Sequence, residues 1–326
     1  MAVEQGAVLA QIDLGAVVFA GLQRGAIFAL LGLGLTIILG TMEFLNLAHG
    51  ALYAIGAYVG LFVASTNQLG DGILAGLVSN PEAFGLGADF VVALVLTPLV
   101  LFVIGVLMER YVARPLHDSS EVRQLLITFG LALIIQELIK VSFGPQPYPK
   151  YSPSTLLGVS VEGSVALPLL GLVVRWRLAI VLITFLVIGL TYYVVERTDF
   201  GLVVQAGTED SEMVQLLGIR ITRSYAIIFG LGAALAGLAG LVGGSIINPE
   251  PGIGTQEALV PAFLTVVVGG AGSVIGAIAG GLLLGLIVGF FEITAPAWSA
   301  IALYAFVAIF ILVRPEGLFG STEVGT

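Results

Sequence analysis

The stretch ALVPAFLTVVVGGAGSVIGAIAGGLLLGLIVGFF, residues 258–291, decides how this chain folds. It is apolar throughout and longer than the roughly 20 residues that a helix needs to cross a bilayer. The small residues GGAGS, Gly269 to Ser273, interrupt it. We predict two membrane segments here, a short one over 258–270 and a longer one over 272–291. Two crossings also place Arg314, which follows the last apolar run, on the same side as the other arginine clusters.

Working outward, further apolar runs lie at about 14–40, 47–65, 90–112, 124–143, 178–195, 224–247 and 297–313. Hydrophobic residues make up 58% of the chain and charged residues only 10%, and its 44 glycines suit close helix contact in lipid. We therefore predict an all-α, polytopic membrane protein. It would form a single transmembrane domain over residues 1–326, with about eight membrane segments and broken helices.

Composition argues against several classes of function. The net charge of −9 argues against nucleic acid as a partner, and the absence of cysteine removes disulfides and thiolate metal sites. No Gly-Lys pair occurs, so a Walker A loop is impossible, and no HExxH or GxSxG motif indicates an enzyme. We expect no cofactor and no metal on this chain, and any ATP hydrolysis on partner subunits. The acid-rich, lysine-poor composition also fits adaptation to high salt, which activity measured against salt concentration would test.

Arginines indicate the orientation in the membrane. They cluster at Arg110, Arg114 and Arg123, at Arg197, Arg220 and Arg223, and at Arg314. By the positive-inside rule these regions are cytoplasmic. The connections 66–89, 144–177 and 248–257 then face outward, and 144–177 is long enough for a small external hairpin.

Two interruptions suggest an internal repeat. LTIILG (35–40) precedes TMEFLNLAHG, and LTVVVG (264–269) precedes GAGSVIG. Transporters use such repeats, with discontinuous helices that meet near the bilayer midplane, although chance similarity explains the two motifs equally simply. The candidate pathway residues are Asn46, His49, Gly50, Gly269, Gly270, Gly272 and Ser273. Alternatively, Asn46 and His49 cap the broken helix or bond a neighbouring helix.

Ionisable residues within or beside the apolar runs also have either a pathway role or a structural role. We expect Arg24, Glu43 and Glu292 near an interface, with Arg24 snorkelling. Glu137, a carboxylate inside a run, is expected to pair with Lys140 at i, i+3.

The polar stretch ERTDFGLVVQAGTEDSEMVQLLGIRITRS, residues 196–224, predicts a short amphipathic helix between two spans. Thr208 is a good N-cap and Gly218 can end the helix. Met213, Leu216 and Leu217 share one face, which docks on a partner or packs against the chain's own spans. The acidic Glu209 and Glu212 either contact basic groups of a partner or complement the helix dipole.

Five motifs in order resemble one family. They are GLTIILGTMEFLNLAHGALYAIGAY (34–58), ERYVARPL (109–116), DFGLVVQAGTEDSEMVQLLGI (199–219), VVGGAGSVIGAIAGGLLLGL (267–286) and RPEGLFG (314–320). Together they resemble the LivH-type inner-membrane permease of branched-chain amino acid ABC transporters.

The resemblance implies a multi-pass permease domain in the cell (inner or cytoplasmic) membrane. It further implies a LivM-like second permease, two cytoplasmic ATPase subunits and an external solute-binding protein. Within the cytoplasmic loop 197–223, it implies that residues 201–219 couple to an ATPase. The residues concerned are Gly201, Glu209, Glu212, Met213, Leu216, Leu217 and Gly218.

The sequence leaves more than one substrate and more than one class of transport protein open. Branched-chain amino acids come first by resemblance, while urea, short amides and other small solutes remain possible. The chain also departs from many relatives at Ala51, where they carry an acidic residue. A secondary transporter or channel would need coupling carboxylates within its spans, for which Glu137 is the candidate.

Overall fold

The computed structural model describes residues 13–117, 119–198, 201–202 and 221–320. The described part of the chain is mainly helical. In chain order the helices are α1 (Leu14–Met42), α2 (His49–Ala64), the short α3 (Ile73–Leu77), α4 (Phe90–Met108), α5 (Glu121–Phe143), α6 (Arg175–Arg197), α7 (Ile221–Gly244), α8 (Val260–Gly269), α9 (Val274–Thr294) and α10 (Ser299–Val313). Short 3₁₀ turns occur at Pro81–Ala83 and Pro296–Trp298.

Two π-helical turns extend these helices. Helix α4 continues through Glu109–Ala113 and a last turn, so that the span reaches Leu116. In the first π turn the buried Glu109 carboxylate accepts hydrogen bonds from Arg114 Nε at 3.0 Å and Nη2 at 2.6 Å. The second turn, Gly254–Leu259, leads directly into α8.

Within the described residues, the strands lie between α5 and α6 and form two small antiparallel hairpins. Thr155–Leu156 pairs with Val159–Ser160, and Ser164–Leu167 pairs with Gly171–Val174. Residues 144–177 therefore fold into compact hairpin structure, as their length suggests.

The bundle has two distinguishable ends. At the hairpin end, the Tyr151 hydroxyl lies 3.0 Å from both the Ala57 carbonyl oxygen of α2 and the Leu241 carbonyl oxygen near the end of α7. At the arginine end, the His117 ring lies 5.5 Å from the Tyr225 ring, which joins the end of the α4 span to the start of α7. Opposite ends of the same helices thus meet different loops.

Helices α1 and α7 form the interior. The contact between α1 and α9 depends on small residues spaced four apart, which let two helix backbones approach closely. These residues are Gly21, Gly25 and Ala29 on α1, and Gly281, Gly285 and Gly289 on α9. A side chain added at any of these α9 glycines would collide with the α1 backbone.

The peripheral helices α4, α5, α6 and α10 expose large apolar side chains along their length. Leu99, Leu133, Leu186 and Leu312 are examples, each about half exposed or more. Among the described residues, seven helices are long and apolar enough to cross a membrane, and α2 and the 254–269 helix are shorter apolar helices. The chain is a multi-pass helical membrane protein, as the sequence predicts, and the split of residues 258–291 into two helices is confirmed.

Candidate functional site

The first break, residues 43–48, separates α1 from α2. Glu43 adopts the left-handed conformation (φ 49°), and its N–H donates to the Leu39 carbonyl at 2.9 Å, which ends α1. The chain then runs without helical hydrogen bonds until His49 begins α2. Non-helical backbone at membrane depth is stable only where protein groups satisfy it.

Helix α5 supplies those groups. The Leu45 N–H donates to Gln124 Oε1 at 3.3 Å, and the Leu47 N–H donates to Thr128 Oγ1 at 3.1 Å. Gln124 and Thr128 are both buried and stand one helical turn apart. The first break is therefore a non-helical segment that is bonded to the first turns of α5.

Asn46 and His49 are completely buried in and beside the first break. Asn46 Oδ1 accepts from the Ala48 N–H at 3.0 Å, and His49 Nε2 lies 3.1 Å from the Leu31 carbonyl oxygen on α1. Both local roles that the sequence leaves open, a turn before the helix and a bond to a neighbouring helix, are present. Because Nε2 donates to a carbonyl, Nδ1 of the neutral ring is an acceptor.

Two side-chain nitrogen atoms beside the first break have hydrogen-bonding capacity that is not used. Within the described residues, Asn46 Nδ2 and His49 Nδ1 have no hydrogen-bond partner. Unpartnered buried polar atoms are costly, so they suit a site that a water molecule or a polar solute occupies at some stage. Gly50 lies beside them, where a Cβ would come within 2.5 Å of the Gly254 carbonyl oxygen.

Two threonines in the repeated motifs also carry buried polar atoms without a hydrogen-bond partner. These threonines were not singled out from the sequence. Thr36 of LTIILG and Thr265 of LTVVVG are both buried, and both hydroxyls lack a partner among the described residues. The signal was their shared place within the two motifs.

The second break, residues 270–273, is a tight turn between α8 and α9. Gly270 and Gly272 have φ of 99° and 80°, and Ser273 Oγ caps α9 by accepting from the Gly276 N–H at 3.0 Å. The RPEGLFG segment closes over this turn, since the Leu318 and Phe319 N–H groups donate to the Val268 and Gly269 carbonyl oxygens at 2.8 and 3.0 Å. The second break therefore lies beside the segment that follows α10.

The end of α1 approaches the second break, because a Cβ on Gly40 would come within 2.6 Å of Gly272 Cα. That both breaks line one path stays a prediction. Asn46, His49 and Gly50 lie together in the interior, in and beside the first break. The remaining candidates lie in and beside the second break, and they are Gly269, Gly270, Gly272 and Ser273.

Helix α7 packs against the first break. The Phe44 and Phe229 ring centroids lie 6.1 Å apart. One turn further along α7, the Gly232 carbonyl oxygen would lie 2.7 Å from a Cβ on Gly34 of α1. Movement of α7 would thus reach the first break directly.

Most of the predicted coupling residues lie outside the described part of the chain. These are Glu209, Glu212, Met213, Leu216, Leu217 and Gly218. Gly201 is described, and the Leu202 N–H beside it donates to the Thr198 carbonyl at 3.2 Å. The flanking helices end at Arg197 and begin at Ile221.

Ion pairs form at two further places in the described residues. Lys140 Nζ lies 3.1 Å from Glu137 Oε1, so the expected i, i+3 pair is present. The guanidinium of Arg24 pairs with the carboxylates of Glu257 and Glu292, and its expected snorkelling near an interface stays a prediction.

A cavity of about 380 Å³ opens at the hairpin end. Its walls carry charges of both signs, from Lys150, Glu162 and Arg177, together with Trp176 and Ser245. It lies between the hairpins, the start of α6 and the residues that follow α7.

A multi-pass helical bundle with a broken helix buried in its interior is an architecture of membrane transport proteins. Residues 17–313 match the family described as the permease component of the branched-chain amino acid transport system. The chain therefore belongs to this family, and it is a membrane permease component and not an enzyme.

Individual relatives agree with this assignment. The chain is 32% identical over 310 residues to the high-affinity branched-chain amino acid transport system permease protein BraD of Pseudomonas aeruginosa, covering 93% of this chain and 95% of the relative. It is 29% identical to LivH of Escherichia coli K12, covering 94% and 95%. It is 27% identical to LivM of Salmonella typhimurium, covering 91% and 68%. No solved structure matches the chain significantly.

Proposed function

We propose that this chain is one of two permease subunits of an ABC importer, and that it forms part of the membrane path for branched-chain amino acids. The similarity to BraD and LivH, which covers more than nine-tenths of each chain, supports this substrate. The weaker similarity to LivM supports a second, LivM-like permease as the partner.

The proposed orientation follows from charge. The arginine end faces the cytoplasm, because arginines are retained on that side. The hairpin end then faces outward, where an external solute-binding protein would deliver the substrate near the cavity of the hairpin end. The location is the inner or cytoplasmic membrane.

The energy comes from two partner ATPases, because the chain has no Walker A loop. The segment 203–220 connects α6 to α7, and α7 begins at the arginine end beside His117. Pressure of an ATPase on this segment would move α7. The observation that carries the mechanism is the contact between Phe229 of α7 and Phe44 of the first break, at 6.1 Å between ring centroids.

The path itself would run past the first break. Asn46 Nδ2 and His49 Nδ1 offer one donor and one acceptor to a polar solute, and the surrounding residues are small or apolar. When α7 moves, the interior around the first break opens to one side and then to the other, as alternating access requires.

Uptake by the reconstituted assembly tests the function. The chain, a LivM-like permease, two ATPases and the solute-binding protein are placed in proteoliposomes with labelled leucine, isoleucine, valine, urea and acetamide. We expect uptake of the three amino acids that depends on ATP. Uptake of urea or acetamide instead, or amino acid uptake without the ATPases, would refute the proposal.

The coupling role is tested by Leu216→Glu, with Gln215→Glu as the matched control, because Gln215 falls on the predicted helix face of Glu209 and Glu212 and not on that of Met213 and Leu217. We expect Leu216→Glu to abolish uptake while the complex still hydrolyses ATP and the chain still inserts in the membrane. Gln215→Glu should transport normally. Normal uptake by Leu216→Glu would refute the proposed docking face.

A further inference from the structure

Three segments that are distant in sequence bring an ionic cluster together, and none of its residues belongs to either break. Arg24 of α1 directs Nη1 to Glu257 Oε2 at 3.1 Å and Nη2 to Glu292 Oε1 at 2.6 Å. Glu257 belongs to the π turn before α8, and Glu292 lies near the end of α9. We call these three residues the Arg24 cluster.

The charges of the Arg24 cluster do not balance. Two carboxylates share one guanidinium, which leaves one net negative charge. Within the described part of the chain, neither glutamate has a second ion pair, and Glu257 Oε1 and Glu292 Oε2 accept no hydrogen bond. A cationic partner that donates hydrogen bonds to the two open oxygens would compensate this excess charge.

The cluster lies inside the apolar part of the chain but is not sealed. Arg24 stands about 15 Å along α1 from its first residue. The side chains of Arg24, Glu257 and Glu292 are 23%, 39% and 32% exposed. Charged groups that face lipid are costly. The exposed parts of these side chains therefore face water, either directly or in a water-filled space between this chain and a partner.

We propose that the Arg24 cluster binds the α-ammonium group of an amino acid during transport; this rests on the proposed function. An ammonium group carries one positive charge and several N–H donors, which match the excess charge and the two open carboxylate oxygens. The guanidinium keeps further N–H donors for the substrate carboxylate, so that the cluster complements both charges of a zwitterion.

The chain has no cysteine, so a single reporter thiol can be placed beside the cluster. Gln256 is exposed and adjacent to Glu257, and Gln256→Cys leaves all three charges in place. In the full complex, with cysteine-free partners, the thiol is treated with trimethylammonium-ethyl or sulfonato-ethyl methanethiosulfonate. We expect the cationic reagent to react about tenfold faster, because the cluster is negative.

Substrate protection identifies the ligand. Leucine at ten times its dissociation constant should slow the labelling about tenfold. The hydroxy acid that carries a hydroxyl in place of the leucine ammonium should give no protection, and neither should sodium at constant ionic strength. Protection by sodium or by the hydroxy acid, or failure of both reagents to reach the thiol, would overturn the proposal.

Isosteric variants connect the protection to the carboxylates. Glu257→Gln and Glu292→Gln, each in the Gln256→Cys chain, should remove both the reagent preference and the leucine protection. Glu137→Gln is the matched control, since that carboxylate pairs with Lys140 elsewhere, and it should change neither. Leucine uptake by the unmodified complex separates the two proposals: uptake without protection contradicts only the ammonium site, and absence of uptake contradicts the proposed function.

Discussion

The first and second breaks look alike in sequence and differ in structure. Each follows an apolar motif with threonine at its second position and glycine at its end. The first break continues as a non-helical segment inside the bundle, and the second turns back within a few residues. The residues after the motif, and the partners that satisfy their backbone, therefore decide the conformation of a broken membrane helix.

Those partners are of two kinds. Side chains of α5 accept the N–H groups of the first break, so its stability depends on particular side chains. Left-handed glycines and a serine cap hold the second break, so its stability depends on local backbone conformation. Substitutions can test this contrast.

The largest effect is expected when α5 loses its acceptors. Gln124→Leu combined with Thr128→Val leaves the Leu45 and Leu47 N–H groups unpaired in an apolar interior. Each lost partner costs about 1–3 kcal/mol, so unfolding should become easier by about 2–6 kcal/mol. Thermal unfolding of the purified chain in detergent measures this.

Thr184→Val is the control, because the Thr184 hydroxyl donates only to the Ile180 carbonyl of its own helix at 2.8 Å. It should cost less than about 1 kcal/mol. Equal melting of the double variant and the control would show that α5 does not support the first break.

A smaller effect is expected at the glycines of the second break. Alanine at either position must adopt a left-handed conformation, which costs about 1–2 kcal/mol. Gly270→Ala should cost more than Gly272→Ala, because its Cβ would also come within 2.6 Å of Gly320 N, whereas the Gly272 Cβ finds its nearest neighbour at 3.5 Å. Melting temperatures of both variants give the comparison.

Gly189→Ala serves as the control for these glycines. It lies within α6 and its added methyl meets nothing within 4 Å, so it should stabilise the helix by about 0.5–1 kcal/mol. A reversed order of Gly270→Ala and Gly272→Ala would contradict the described turn.

The Ser273 cap of α9 should contribute less to the free energy of unfolding than the glycines of the second break. Ser273→Ala removes the acceptor for the Gly276 N–H and should cost about 1 kcal/mol. Ser273→Asp, which keeps an acceptor at this helix start, should restore the melting temperature. If alanine and aspartate behave alike, the serine does not act as a cap.

The smallest effect on stability is expected at the two motif threonines. Thr36→Val and Thr265→Val remove buried hydroxyls that have no partner, so stability should stay the same or rise by up to about 1 kcal/mol. Melting and leucine uptake are measured together. A clear loss of stability would show that these hydroxyls are bonded.

Much of the fold could be predicted from sequence because bilayer thickness fixes helix length. The ends of α1, α2 and α6 lie within a few residues of the hydropathy boundaries. Glycines marked the second break correctly, because left-handed turns favour them. The sequence also predicted that Asn46 and His49 lie in an interruption.

Contacts between residues far apart in the chain could not be predicted. Gln124 and Thr128 look like ordinary polar residues of α5, and only the packed structure shows that they hold the first break. The pairing of Arg24 with Glu257 was not predicted, because the two residues are remote in sequence. The coupling residues 209–218 lie outside the described residues and stay a prediction.

If the first break lines a path that ATP opens, the accessibility of a thiol placed in the break should change during ATP hydrolysis. Asn46→Cys and, as a control, Ser273→Cys are labelled in the reconstituted complex with a water-soluble thiol reagent, with and without ATP. We predict that Cys at position 46 is unreactive without nucleotide and becomes reactive during ATP hydrolysis, while Cys at position 273 reacts similarly in both conditions. An unchanged labelling rate at position 46 while the complex hydrolyses ATP would contradict the account.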